Sequence, residues 1–178
     1  MTRTASSPTA HPRQPIRQAG GTRFIPPAER DGRPQLTTQG RELLQSRLEA
    51  LREQRLPELR SMLVEPDRDE RIVAEFTRVS GQVGELESLL ASSEVLEVDP
   101  EAHDGRADLG MRVRVRLGEE DSWVRPVHPA EAFLDDERIS AHSPLAIALM
   151  GARAGHTVWV DAPSGAFPCE VLEVDPRA

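Results

Sequence analysis

The chain has 178 residues, a formal charge of −8 and only 3% aromatic residues. That length allows one or two small domains, and the acidic balance argues against a protein built chiefly to grip nucleic acid. Few aromatics beside 29% charged residues point to modest cores and much solvated helix surface.

Residues 1–35 hold six of the fifteen prolines and the cations Arg3, Arg13, Arg17, Arg23, Arg30 and Arg33 against Glu29 and Asp31. Low hydrophobicity with frequent proline does not repay the entropy of ordering, so a disordered basic tail is expected there. Contact of this arm with nucleic acid is the alternative reading, weakened by the acidic remainder. The start MTRTASSPTAHPRQP has no apolar core of a signal peptide.

Residues 36–93 read as helix. In LTTQGRELLQSRLEALREQRLPELRSMLVE, Thr38 is the expected N-cap. Leu44, Leu48 and Leu51, then Leu56, Leu59 and Leu63, recur at steps of three and four, with a slip at Pro57 that predicts a kink or offset. Ile72, Phe76, Val79, Val83, Leu86 and Leu90 form the cleaner seam of a coiled coil. Each arm is roughly 26 residues, about 40 Å at 1.5 Å per residue. Little but Glu65 and Pro66 separates the arms, so an antiparallel hairpin projecting into solvent is expected, closed on itself and therefore monomeric.

The break between the arms carries four acids, Glu65, Asp67, Asp69 and Glu70. Asp67 and Glu70 have the spacing of a capping box, which accounts for both by helix-start physics alone. The other reading is a set of hard oxygen donors for Mg²⁺, presented at the end of a rigid rod. Spacing leaves both open.

Residues 94–178 read as strands: EVLEVD, GMRVRVRL and DSWVRPV, then HTVWVDAPSGAFPCEVLEV folded about Pro163-Ser164-Gly165. SPLAIALMGA is a short apolar helix closed by Gly151, far too short to span a bilayer. Pro168 suggests an edge or a bulge. The fold class expected is α+β: a helical hairpin followed by a small, mostly antiparallel sheet with one short helix. The single cysteine, Cys169, forms no internal disulfide and fits a reducing cytoplasm.

No self-contained active site is legible. His11, His103, His128, His142 and His156 show no metal-ligand spacing, and Cys169 completes no zinc pattern. The serines of SAHSP and APSGA match no nucleophile elbow, and GARAG lacks the lysine of a phosphate loop. A cofactor of its own is not expected.

The chain resembles the GreA/GreB family of bacterial transcript cleavage factors from about residue 36 to 175. The words that carry the resemblance are LTTQGRELLQSRLEALREQRLPEL, with Gly40 and the Arg-Leu-Pro-Glu around Pro57, AEF at Ala74 to Phe76, and above all ISAHSPLAIALMGARAGHTVWVDAPSGAFPCEVLEV. The resemblance implies an FKBP-like C-terminal domain that holds the rim of the RNA polymerase secondary channel while the coiled coil enters it. It further implies that Asp67 and Glu70 are the tip pair sharing Mg²⁺ at the polymerase active site, and that His142, Ser143 and Pro144 mark the rim-binding loop. The factor would assist hydrolysis of backtracked RNA rather than be an enzyme, and would meet DNA and RNA only within the elongation complex.

Two departures accompany the match. His142 stands where the family has Asn or Asp. Between Pro57 and Val95 the chain is roughly nine residues shorter than a typical member, which at 1.5 Å per residue puts the tip about 7 Å short. A channel-binding regulator that does not stimulate cleavage is therefore the alternative function. A peptidyl-prolyl isomerase would need an aromatic floor, and this zone offers only Trp123, Phe133, Trp159 and Phe167. A generic coiled-coil adaptor would leave the C-terminal match unexplained.

Overall fold

The computed structural model describes residues 28–30, 32–64, 69–98, 101 and 103–177. Most of the tail assigned to residues 1–35 lies outside these residues, but its last part is a correction to that boundary. β1 (Glu29–Arg30) pairs antiparallel with β2 (Arg33–Leu36), which pairs in parallel with β3 (Glu94–Val95). The reason is Leu36, which is fully buried against Leu44 and Leu90 and anchors the strand to the root of the helices.

The first helical arm comprises α1 (Thr38–Ala50), a π-helical turn over Leu51–Arg55, and α2 (Leu56–Leu63). Thr37 is the N-cap, its hydroxyl accepting from the Gly40 amide at 2.9 Å, so Thr38 is the first helical residue rather than the expected cap. The offset expected at Pro57 is the π turn, in which the Leu56 amide donates to the Leu51 carbonyl. Pro57 has no N–H to give and its ring crowds the carbonyl four residues back, so a wider turn just before it relieves the clash.

The second arm is α3 (Glu70–Ser92), 23 residues or roughly 35 Å long. The arms run antiparallel: Arg41 donates to the Leu90 carbonyl and to Ser93 near the root, and Arg55 reaches Glu75 farther out. Leu44 and Leu59 of the first arm and Val79, Val83 and Leu90 of the second are buried, as their three- and four-residue spacing predicts. Ile72, Phe76 and Leu86 stay half-buried, because two packed helices cover only one stripe of each.

The main sheet has five strands in the order β6-β5-β4-β8-β7, made of β4 (Arg112–Leu117), β5 (Glu120–Val127), β6 (Arg138–Ser140), β7 (Thr157–Ala162) and β8 (Gly165–Asp175). Only β5 and β6 pair in parallel. β4 alternates arginine with buried Val113 and Val115, and β7 buries Val158 and Val160 between outward residues. α4 (Pro144–Leu149) covers the inner face, adding Leu149 to a core of Val113, Val115, Val124, Val160, Cys169 and Val171. Its end is set by Gly151 at φ 76°, a conformation glycine adopts without strain. A register shift against Arg114/Val115 lets β8 cross the sheet, and Pro168 lies past the last β4 pair, Arg116↔Glu170, where one side of β8 is open.

Candidate functional site

Two places carry the residues singled out by sequence, the free end of the helical arms and the loop before α4. At the free end, α3 starts at Glu70 with Asp69 as its N-cap, the Asp69 carboxylate accepting from the Arg71 amide at 2.9 Å. That corrects the capping-box reading of Asp67 and Glu70. The cap is two residues later, because Asp69 has the extended backbone (φ −75°, ψ 123°) that a cap requires. Asp67 itself lies outside the described residues, as do Glu65, Pro66 and Arg68. Glu70 is exposed on the first turn, where the partial positive charge of the helix end favours a carboxylate. Val64, 81% exposed, Met62 and Val73 add an apolar fringe to this acidic end.

The arms leading to it are stiffened by charge. Glu75 accepts from Arg78 at 2.9 and 2.7 Å and from Arg55 across the hairpin at 3.5 Å, while Arg52 pairs with Glu87. Arg78 and Arg55 hold the Glu75 carboxyl below its usual range. Such exposed pairs add little each; Arg55–Glu75 and Arg52–Glu87 are the ones that cross between the arms.

At the second place, β6 ends in a tight turn. Ser140 O accepts from the Ser143 amide, Ser140 Oγ accepts from the His142 amide, and Ala141 is buried beneath. Ser143 is the N-cap of α4, accepting from the Ala146 amide at 3.2 Å, and Pro144 occupies the first turn, where its missing N–H costs nothing. His142 is thus displayed and exposed, while Ser143 and Pro144 are committed to starting the helix. His128 lies close enough to feel the charge of His142. Burial lowers its pKa, and its Nδ1 accepts from the Ala130 amide.

The sequence reading missed what ties the helical root to the sheet. Glu131 and Arg138 have fully buried side chains and pair at 3.1 Å. Glu131 accepts from the Thr37 amide at 2.9 Å and from the Thr37 hydroxyl, and Arg138 donates to Gln39 at 2.8 Å and to Asp135 at 2.7 Å. Burial raises the Glu131 pKa, against the pull of Thr37 and Arg138. Gly40 is obligatory here, since a Cβ would stand 1.7 Å from the Glu131 carboxylate. No sequence signal marks this joint, because acids and arginines read as surface until the fold closes over them.

Among the described residues no group of three or more His, Cys, Asp or Glu is placed to hold a metal ion, and no helix is long and apolar enough to cross a membrane. The Mg²⁺ expectation concerns a site shared with another protein; of the two carboxylates expected there, Glu70 is exposed and Asp67 lies outside the described residues.

The structure is thus a pair of antiparallel helical arms joined at the root to a small mixed sheet. The family model for the C-terminal domain of the transcription elongation factors GreA/GreB matches residues 102–176. Transcription elongation factor GreA of Thermotoga neapolitana is 34% identical over 154 residues, spanning 80% of this chain and 97% of that protein. GreA of Chloroflexus aurantiacus is 39% identical over 99 residues, but this chain spans only 62% of that relative's length. Among solved structures, GreA factor homolog 1 (Gfh1) of Thermus thermophilus is 32% identical, with 79% of this chain and 97% of that one covered and a TM-score of 0.34. The chain belongs to the GreA/GreB family of bacterial transcription elongation factors.

Proposed function

We propose that this protein binds RNA polymerase in the cytoplasm, passes its helical arms as a coiled-coil hairpin into the secondary channel, and assists cleavage of backtracked RNA. In this reading the sheet domain, FKBP-like in fold, rests on the channel rim through His142 and the turn that Ser143 and Pro144 hold. It meets DNA and RNA only through the polymerase, and it is an accessory rather than an enzyme.

The observation that carries the reading is at the free end of the arms. Asp69 caps α3, so helix initiation does not call for the Asp67/Glu70 pair, and Glu70 is left exposed on a rod pinned at its root by Glu131 and Arg138. Carboxylates so presented supply oxygen ligands to a site they do not themselves complete. Bound Mg²⁺ at the polymerase centre would supply an activated water for phosphodiester hydrolysis. The work of this chain is to place Asp67 and Glu70 there and to hold them.

A second reading rests on length. The arms are shorter than the resemblance leads one to expect, and a tip that stops short would occupy the channel without stimulating cleavage. Transcript cleavage in backtracked complexes of the cognate polymerase separates the two. Shortened RNA with wild type, but not with Asp67→Ala/Glu70→Ala of unchanged fold, supports assistance by the tip. Slowed elongation without shortened RNA, the same for both proteins, supports the channel-occupying regulator.

A further inference from the structure

Among the described residues, two buried side-chain nitrogens make no hydrogen bond, His103 Nε2 and Arg125 Nε. The second belongs to a residue that is only 9% exposed, on a strand with a neighbour on each side. β5 pairs Arg125 with Arg138 of β6, and the pair Val113↔Val124 makes Arg112 of β4 the next residue facing Arg125 on its other side. Three arginines thus stand in one row across three adjacent strands. Like charges directly opposite one another are destabilising, so each position in such a row calls for a counter-charge.

Two of the three have one. Arg138 donates to Asp135, Glu131 and Gln39, one bond from each of its nitrogens. Arg112 gives Nε and Nη2 to Glu137 and lies over the Trp123 ring. Arg125 makes no side-chain hydrogen bond and no ion pair among the described residues, and residues 1–27 contain no Asp or Glu to supply one. The acids around it are already engaged, Glu137 by Arg112, Asp135 and Glu131 by Arg138. Burial, then the charges of Arg138 and Arg112, lower the Arg125 pKa against the pull of Glu137 and Asp135. A buried cation is ordinarily held by an acceptor, and the acceptor this one lacks is an anion.

We infer that Arg125, with Nη1 of Arg112, is a binding site for a small tetrahedral oxyanion, phosphate or sulfate. The guanidinium fork of Arg125 takes two oxygens of such an ion, and a third remains for the Arg112 nitrogen that Glu137 does not use. A carboxylate has oxygens for the fork alone. The site adjoins Arg138, which holds the root of the arms through Gln39 and Glu131, so the bound ion also offsets the repulsion on the residue that joins arms to sheet.

The test is the melting temperature of the full chain against added phosphate, at ionic strength held constant with chloride. Wild type should show a saturating rise of roughly 5–10 °C at a hundredfold excess over Kd. Arg125→Gln should lose the rise, and Arg125→Lys, which keeps the charge without the fork, should need at least about tenfold more phosphate. Sulfate should act as phosphate does. The Nε–H resonance of Arg125, assigned with Arg125→Lys, gives a second reading that does not depend on how stable the variants are, and it should shift over the same phosphate range. An equal, non-saturating rise in wild type and Arg125→Gln, or an unmoved Arg125 resonance, would overturn the site. Acetate acting as well as phosphate would overturn its assignment to a tetrahedral ion. Asp31 and Asp99, acids outside the described residues, provide a further arm. Asp31→Asn/Asp99→Asn should respond as wild type does, and phosphate binding tenfold tighter to it would show that Arg125 already holds a carboxylate of its own chain.

Discussion

Gly40 is the residue on which the joint between arms and sheet depends. A methyl group there would overlap the Glu131 carboxylate, which cannot withdraw without giving up its buried bonds to Thr37 and Arg138. Gly40→Ala should therefore cost about 1–3 kcal/mol in urea unfolding, while Gly81→Ala, with open space around its Cβ, should not destabilise. Cys169 makes a prediction of opposite kind. It is fully buried and burial pushes its thiol up to about 11, so a disulfide reagent at pH 8 should find no reactive thiol until the protein is unfolded. His128 sets a pH dependence. Burial, helped by the charge of His142 and opposed by Glu29, lowers its pKa below the ordinary 6.5, so the folded state resists protonation. Stability from this group is complete above pH 6.5 and is lost as pH falls toward the folded pKa. His128→Asn, which retains an acceptor for the Ala130 amide, should flatten the acid side of a melting-temperature profile between pH 7.5 and 5.

Among the elements, the two helical arms carry the functional claim, and their ends are specified by single side chains. Asp69→Ala should lower stability by about 1 kcal/mol as a lost N-cap. Glu70→Gln, which touches only the interaction with the helix end, should cost a few tenths. If Glu70→Gln were instead the costlier change, the assignment of the cap would be wrong, and with it the argument that this acid is available for another task. The π turn follows from Pro57 in the same local way. Its consequence is one extra residue in the first arm between Leu51 and Leu56, with Leu44 buried before it and Leu59 after it.

For the whole molecule, periodicity carried the sequence reading as far as one stripe and one pleat extend. The seam from Ile72 to Leu90 and the alternation of Arg112–Leu117 and Thr157–Ala162 each name their own inward residues. Caps were displaced by one or two residues, since Thr37 and Thr38, or Asp67 and Asp69, are chemically alike and only the backbone distinguishes them. The three-stranded sheet was not legible, because β2 finds β3 across the entire helical excursion and pairs with it through only two positions. The candidate site divides in the same way. His142 and Glu70 could be singled out from local sequence words and are exposed, whereas the joint of Glu131, Arg138, Thr37 and Gln39 arises only when distant polar residues are buried together.

The account stands or falls on where the free end of the arms goes. A hydroxyl-radical-generating iron chelate can be tethered to Val64→Cys, at an exposed position, while the buried Cys169 escapes labelling. Cleavage of the bound polymerase chains at segments lining the secondary channel and the active centre is the result the account predicts. Cleavage confined to the outer surface of the polymerase, or none under conditions where the two proteins bind, would contradict it.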